Sequence, residues 1–464
     1  METLSAWIDR QSVYAARQML RSISPVGIVK RRPGFDQVIH PVRGAVIASP
    51  VPASYDPDPD YFFHWYRDSA IVIDALRLLY LDGRADSGGE RTDRRSGPGA
   101  LPPGTASGTA LEALRLFGEF VRFSAMLSRL DGRTLAAGSS AWRSRIAPDF
   151  VQFLRPDAEL ERIHGDAVAA ETRVNADGSL DISNWARPQN DGPALRALTI
   201  LRWTRSADLD AQLREVCAAL LRDDLRFTRR HWRKPCFDIW EEERGLHYFT
   251  LSVSAQALED GADWLATRGE AAEARSWRTE SQAIREALDG YWLETQGYYR
   301  SRVLESGERS GKELDIAVIL AALHGSDHRD THSVRDPRVH ATLGVLDSVF
   351  DADYPINRGR PAARAPALGR YRADRYYSGG AYYFSTLAAG ELCFRSAARG
   401  NGREALLARG DRYLETVRAF TPASGEMSEQ FDQRSGEQTS AKHLAWSYAA
   451  FISCVAARRA VMSG

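Results

Sequence analysis

The feature that most constrains this chain is the recurrence of apolar residues at helical spacing through most of its length. The spacing predicts helices near 4–24, 67–83, 108–129, 192–206, 209–223 and 249–266. It predicts further helices near 270–290, 314–323, 337–350, 380–399, 402–419 and 440–461. Several are separated by very short turns, such as Arg205-Ser206-Ala207-Asp208 and Gly400-Asn401-Gly402. Helices paired in this way are what a six-fold barrel of inner and outer helices requires. A helical solenoid would call for a regular sequence repeat, and none is visible. The expectation is an all-α (α/α)6 barrel of helical hairpins, with long loops, some short strands and a pocket at one end.

Between the helices, Gln37 to Val51 carries β-favouring runs (Val38-Ile39 and Gly44-Ala45-Val46-Ile47) that suggest a short hairpin. Asp82 to Gly108 is rich in Gly, Pro, Arg and Asp and reads as a flexible insertion between two barrel helices. Neither an obvious linker nor an appended carbohydrate-binding module is seen, so residues 1–464 are expected to form one catalytic domain.

Charged residues are 26% and the hydrophobic set 44%, the balance of a folded soluble protein. Lys+Arg and Asp+Glu both total 61, which argues against nucleic acid or an anionic membrane as partner. No apolar run approaches the roughly 20 residues of a membrane span. Met1 to Trp7 lacks the basic-then-apolar pattern of a secretory signal. Cys217, Cys236, Cys393 and Cys454 show no CxxC spacing and read as free, mostly buried thiols. A cytoplasmic location is the simplest expectation, although a chain trimmed of its signal would look the same. Oligomeric state leaves no signal in the sequence.

Two glutamates far apart in the chain stand among aromatic and polar residues. Glu241 lies in Asp238-Ile239-Trp240-Glu241-Glu242-Glu243, and Glu429 in Met427-Ser428-Glu429-Gln430-Phe431-Asp432. Breaking a glycosidic bond with inversion needs a protonated carboxyl for the leaving oxygen and an ionised one for water, about 6.5–9.5 Å apart. Burial beside Trp240 and the charges of Asp238, Glu242 and Glu243 are expected to keep Glu241 protonated. A hydroxyl donor such as Ser440 is expected to help Glu429 stay ionised.

Other segments carry sugar-binding chemistry. Tyr61-Phe62-Phe63-His64-Trp65-Tyr66-Arg67-Asp68 precedes a helix. Asp68 alone would be a cap, but an Arg–Asp pair behind aromatic residues can grip vicinal hydroxyls, Arg donating and Asp accepting. Asn184-Trp185-Ala186-Arg187-Pro188-Gln189-Asn190-Asp191-Gly192-Pro193 offers Trp185 as a stacking wall and Arg187 and Gln189 as hydroxyl ligands. In Tyr376-Tyr377-Ser378-Gly379-Gly380-Ala381-Tyr382-Tyr383, paired glycines bring the backbone close to another group. His324, His328 and His332 recur every fourth residue, but Gly325, Ser326 and the charges between them read as a loop rather than a metal-binding helix face. His64 reads equally as a packed histidine or a sugar ligand, and Cys217 and Cys454 as core.

These motifs, in this order from about residue 40 to the C-terminus, resemble the glucoamylase family, glycoside hydrolase family 15. The resemblance implies an inverting exo-α-glucosidase with an (α/α)6 barrel and no cofactor. Tyr61 to Ser69 resembles the family's first sugar-binding loop, placing Tyr61, Trp65, Arg67 and Asp68 at substrate. Trp185 to Pro193 is similar to its second loop, with Trp185, Arg187 and Gln189. Asp238 to Glu242 resembles the general-acid segment, making Glu241 the acid, with Trp240 and Glu242 beside the sugar. Ser428 to Asp432 resembles the general-base segment, making Glu429 the base and Ser440 its hydrogen-bond partner. Arg309, in Arg309-Ser310-Gly311-Lys312, resembles a substrate arginine on a shorter match. Departures fall at the pocket wall: Ser378 to Tyr382 stands where the family often has Asn-Gly-Asn-Pro-Trp, Ala186 replaces Gly, and Tyr66 replaces a common Thr. The implied partner is an α-gluco-oligosaccharide, α-1,4-linked and possibly also α-1,6-linked. Alternatives within the resemblance are isomaltose-, dextran- or trehalose-specific hydrolysis. A non-catalytic glucan-binding regulatory protein on the same barrel is a further one.

Overall fold

The computed structural model describes residues 2–54, 57–88, 105–325, 330–398 and 402–463. In chain order its helices are α1 (Leu4–Leu20), α2 (Tyr66–Gly88), α3 (Thr105–Leu127), α4 (Gly132–Ala137) and α5 (Ser139–Arg143). Next come α6 (Asp157–Leu160), α7 (Asp191–Ser206), α8 (Ala211–His231), α9 (Tyr248–Ala266) and α10 (Ala271–Asp289). The last are α11 (Ala317–Gly325), α12 (Pro337–Asp353), α13 (Tyr383–Ala397), α14 (Arg403–Phe420) and α15 (Ala445–Ser463). Every helix read from the periodicity is present. Short α4, α5 and α6 were not foreseen and lie in the long connection between α3 and α7.

Six helices close a ring. Each of α2, α7, α9, α11, α13 and α15 packs on the next, and α15 returns to α2. Around them α3 packs on α2, α8 on α7, α10 on α9, α12 on α11, α14 on α13 and α1 on α15. This is an (α/α)6 barrel. The burial patterns explain which helix goes where. In α13, every residue from Tyr383 to Ala397 except Arg395 is buried, as suits an element with neighbours on all sides. In α10 only a stripe is buried, including Ala274, Trp277, Ser281, Ile284 and Leu288, which suits an outer helix. Each fully buried large side chain on such a stripe contributes about 1.5–3 kcal/mol.

Local chemistry sets several helix starts. Asp210 accepts a 2.7 Å bond from the Leu213 N–H, and Asp336 accepts one of 2.8 Å from the Arg338 N–H with Pro337 at the first helical position. Gly325 ends α11 where a Cβ would lie 2.7 Å from the Ser252 carbonyl carbon, so only glycine lets this helix end approach α9.

Three local expectations need correction. The N-terminal hairpin pairs Lys30–Arg32 with Gln37–Ile39, so Val38-Ile39 finds its partner upstream. The Gly44 to Ile47 run forms no strand with it, and Val46 bridges Ile23 instead. The insertion is narrower than 82–108, because α2 continues to Gly88 and α3 begins at Thr105; its centre, 89–104, lies outside the described residues. The last helix starts at Ala445 rather than 440, and Ser440 sits before it with φ of 64°. The turn at 400–401 and His328 also lie outside the described residues. His332 has both ring nitrogens engaged, Nδ1 with the Tyr248 hydroxyl at 2.9 Å and Nε2 with Asp289 at 3.0 Å.

Candidate active site

The candidate side chains come from the segments that lead into the inner helices. Phe63–Trp65 runs into α2 and pairs antiparallel with Arg173–Asn175, which places Trp65 opposite Arg173. Cys236–Phe237 and Arg244–His247 form a hairpin ahead of α9, and Arg302–Leu304 adds a third strand. Ala381–Tyr382, leading into α13, pairs with Gln430–Phe431, which pairs with Gln438–Thr439. Inner helices all start at this end, so their amide dipoles favour negative charge here.

Glu241 is on the tip of the hairpin ahead of α9. The turn is built by Asp238, whose Oδ1 accepts from the N–H groups of Glu242 (2.8 Å) and Glu243 (2.9 Å), while its carbonyl accepts from the Glu241 N–H at 2.9 Å. Glu241 has φ of 65°, a left-handed conformation uncommon for a side-chain-bearing residue, and this turn holds it there. Oε1 accepts from Trp65 Nε1 at 2.8 Å and from Arg67 Nη2 at 3.2 Å, and Oε2 accepts from Trp185 Nε1. Trp185 is 37% exposed and stacks on the Arg173 guanidinium, 3.6 Å from its ring centroid.

The acidic crowd expected around Glu241 is neutralised. Glu242 Oε1 accepts from Arg370 at 3.0 Å, and its Oε2 from Tyr371 at 2.6 Å and Lys312 at 2.7 Å. Buried Arg302 donates to Asp238 at 3.1 Å, to Glu243 at 2.8 Å and to Asp315. These acids are therefore partners of cations and not a repulsive cluster aimed at Glu241.

Glu429 and Ser440 are brought together by register. Gln430 is opposite Thr439, which sets Glu429 against Ser440, and the Glu429 N–H donates to the Ala441 carbonyl at 2.8 Å. Ser440 Oγ donates to Glu429 Oε2, and the Tyr61 hydroxyl lies 3.3 Å from Oε1. The paired glycines explain the close packing here. A Cβ on Gly380 would strike the Phe431 carbonyl, and Gly379 adopts φ of 56°. Glu429 is 8% exposed, and burial pushes its carboxyl up to about 7. The Ser440 bond, the Arg370 charge and the Tyr61 hydroxyl pull it down, and the Asp68 carboxylate pushes it up.

Tyr61 and Trp65 connect the two carboxyls. Their rings lie 5.2 Å apart, and one reaches Glu429 while the other donates to Glu241. Tyr61 also shares a 2.7 Å hydroxyl contact with Tyr376. Arg67 sits beside Glu241, Asp68 (3.4 Å) and Asp191 (3.5 Å). Its Nε and Nη1, and Asp68 Oδ2, are buried without a hydrogen-bond partner. Such orphaned atoms carry a free-energy cost that a hydroxyl-rich ligand would remove. Burial raises the Asp68 carboxyl to about 6 against the pull of Arg67, and Glu241 and Asp191 add to the rise. An aromatic wall completes the site. Phe384 and Trp446 stack at 4.5 Å, Trp240 lies 6.0 Å from Phe384, and Trp240 Nε1 donates to Asp315 at 2.8 Å.

Three of the sequence-derived ligands are engaged elsewhere. All three Arg187 guanidinium nitrogens donate to protein: Nε to Glu171 (2.9 Å), Nη1 to the Ser183 carbonyl (3.1 Å) and Nη2 to Asp181 (3.0 Å). It is part of a buried network with Arg155 and Arg173 that ties the Trp185 loop down. Gln189 donates to the Asp238 carbonyl at 2.7 Å and so braces the turn under Glu241. The Arg309 side chain is 62% exposed and pairs with Glu313; its neighbour Lys312 is the residue that reaches Glu242. His64 is buried, accepts the Val46 N–H at 3.0 Å, and has its charged form disfavoured by burial, so it is a packed histidine. Arg302 and Arg370 escaped the sequence reading. Arg370 lies 5.2–5.4 Å from the rings of Trp240, Tyr371, Tyr376 and Tyr382. A run dense in Arg and Tyr between 370 and 383 is the signal that could have found it, whereas Arg302 has no local signal at all.

Known proteins of similar sequence and fold belong to one family. The profile of Glycosyl hydrolases family 15 matches residues 36–94, 170–408 and 401–456. The probable glucoamylase of Schizosaccharomyces pombe is 25% identical over 505 residues, covering 99% of this chain and 93% of that protein. The intracellular sporulation-specific glucoamylase of Saccharomyces cerevisiae is 25% identical over 532 residues, covering 99% and 85%. Among solved structures, the family 15 glucoamylase of Hypocrea jecorina superposes with a TM-score of 0.75 at 23% identity, over 99% of this chain and 73% of that one. The glucoamylase of Saccharomycopsis fibuligera does so with 0.73 at 20%, over 99% and 96%. With the profile matching well over half its length, this chain belongs to Glycosyl hydrolases family 15.

Proposed function

We propose that the protein is an inverting exo-α-glucosidase that releases β-glucose from the non-reducing end of α-linked gluco-oligosaccharides. The observation that carries this reading is the pair of carboxyls, buried Glu429 and half-buried Glu241, on either side of Tyr61 and Trp65, beside the orphaned polar atoms of Arg67 and Asp68. In this proposal the terminal glucose places hydroxyls against Arg67 and Asp68. Glu241 gives its proton to the leaving oxygen. Glu429, held by Ser440 and Tyr61, takes a proton from the attacking water on the opposite face, so the anomeric carbon inverts. Trp185 and Trp240 would flank the sugar, and Glu242 and Lys312 would meet the leaving side. Retention of both carboxyls favours catalysis over simple glucan binding, because a binder has no need of an acid and a base.

The four cysteines are buried and free, which suits a reducing compartment. No helix among the described residues is long and apolar enough to cross a membrane. We extend the proposal to one catalytic domain acting in the cytoplasm.

A proton NMR time course with maltose, maltotetraose, isomaltose and trehalose tests the reaction. Early β-glucose is expected, from the α-1,4 substrates first. Early α-glucose would overturn inversion, and binding without hydrolysis of any substrate would overturn the enzyme reading. E241Q is expected to bind maltose but lose at least about 100-fold in kcat, the scale of a general acid; near-normal turnover would remove Glu241 from its role.

A further inference from the structure

On the outer face of the barrel, α12, α14 and the 360–366 loop enclose a cavity of about 200 Å³. Its lining is dominated by Arg360, Arg364, Arg409 and Arg412, set against Asp347 and Asp351. Both carboxylates are already taken. Asp347 accepts from Arg409 at 2.9 Å and from the Tyr413 hydroxyl at 2.6 Å, and Asp351 accepts from Arg360. Two guanidiniums are left over. Arg364 Nε is buried with no hydrogen-bond partner, and the side chain rests 5.7 Å from the Phe420 ring. Arg412 is exposed, and among the described residues its guanidinium makes no hydrogen bond or ion pair.

We propose that this cavity is a binding site for a phosphate monoester or free phosphate, separate from the catalytic carboxyls. Two uncompensated positive charges match a dianion. Planar guanidiniums suit the bidentate geometry of phosphate oxygens, and Arg412 has no protein acceptor among the described residues to give up. No exposed aromatic face lines the cavity, so it is not built to stack a bare glucan. The volume far exceeds the about 30 Å³ share of one water, leaving room for part of a group that carries the phosphate. The ion pairs of Arg360 and Arg409 keep those side chains in place before any ligand arrives.

The loop is fixed by the fold rather than hung loosely over it. The Ala365 N–H donates to the Arg412 carbonyl at 3.0 Å, and Thr416 donates to the Ala365 carbonyl at 2.6 Å. Asn357 exchanges bonds of 3.1 and 2.8 Å with the Ala367 backbone. Arg364 and Arg412 are therefore presented on a prepared surface.

Equilibrium dialysis of the full chain against inorganic phosphate and, separately, glucose 6-phosphate tests the site. At least one is expected to bind, and R364Q and R412Q are each expected to weaken it about tenfold. Tighter binding of the free anion identifies phosphate as the ligand, and tighter binding of the ester identifies a sugar-borne phosphate. Maltose hydrolysis is expected to be unchanged in both variants, since neither residue belongs to the catalytic site. No binding of either probe to the wild-type protein overturns the proposal. So does undiminished binding by the folded R364Q/R412Q double variant, which would locate the phosphate elsewhere.

Discussion

With Glu429 as the proposed general base, the hydrogen bond from Ser440 is expected to set where activity is lost as pH falls. In that proposed role Glu429 acts ionised, so kcat/KM is expected to rise with pH through its pKa. Burial lifts that pKa to about 7, and Ser440 is the strongest single influence holding it down. S440A removes the donor while leaving the Tyr61 contact at 3.3 Å and the Arg370 charge. A hydrogen bond to a charged group inside a protein contributes about 1.5–3 kcal/mol. At 1.36 kcal/mol per pH unit, the acid limb is expected to move up by about 1–2 units. A one-unit move from about 7 to about 8 lowers the ionised fraction at pH 6 about tenfold. The assay is kcat/KM for maltose from pH 4 to 9, compared between wild type and S440A. A uniform fall in rate with the acid limb in place would mean that Ser440 only shapes the pocket. A limb that moves down would refute the electrostatic argument outright.

The same raised carboxyl has a consequence for stability. Its folded pKa lies above the unfolded value of 4.5, so its contribution is fully present below pH 4.5 and lost as pH rises through about 7. E429Q, which cannot ionise, is expected to be more stable than wild type at pH 8 by on the order of 2–3 kcal/mol. It should gain nothing at pH 4, and an equal gain at both pH values in thermal melts would contradict this. R302M strands Asp238 and Asp315 without their cation, at about 3–5 kcal/mol, and loosens the turn that carries Glu241. Urea unfolding and kcat are both expected to fall, and wild-type values in either would remove Arg302 as the anchor. R187M is expected to cost less, about 1.5–3 kcal/mol, because Glu171 and Asp181 keep Arg155 and Arg173 as partners, while leaving the KM for maltose near wild type. A large rise in KM with stability intact would return Arg187 to the substrate.

The barrel and its site were legible in the sequence to different depths. The apolar rhythm marked all twelve barrel helices, because a helix repeats its buried face every few residues and each face can be read within one segment. The segments that carry Glu241 and Glu429 could be picked out for a similar reason, since the residues that shape each turn, Asp238 below Glu241 and Gly379-Gly380 against Phe431, are close by or chemically distinctive. Only the tertiary structure decided the rest. Ring closure of α15 on α2 joins residues more than 350 positions apart, and no local pattern encodes it. The duties of Arg187, Arg302, Arg309 and Arg370 depended on which carboxylate or ring stood across the fold. An arginine's side chain looks the same in sequence whether it meets Glu171, Glu313 or a sugar. The pKa of Glu429 follows from burial by surrounding elements and from charges such as Arg370 and Asp68, which are distant in the chain. Hydrophobic period is a property of a segment, whereas desolvation and charge pairing are properties of a place, and a place exists only once the chain has folded.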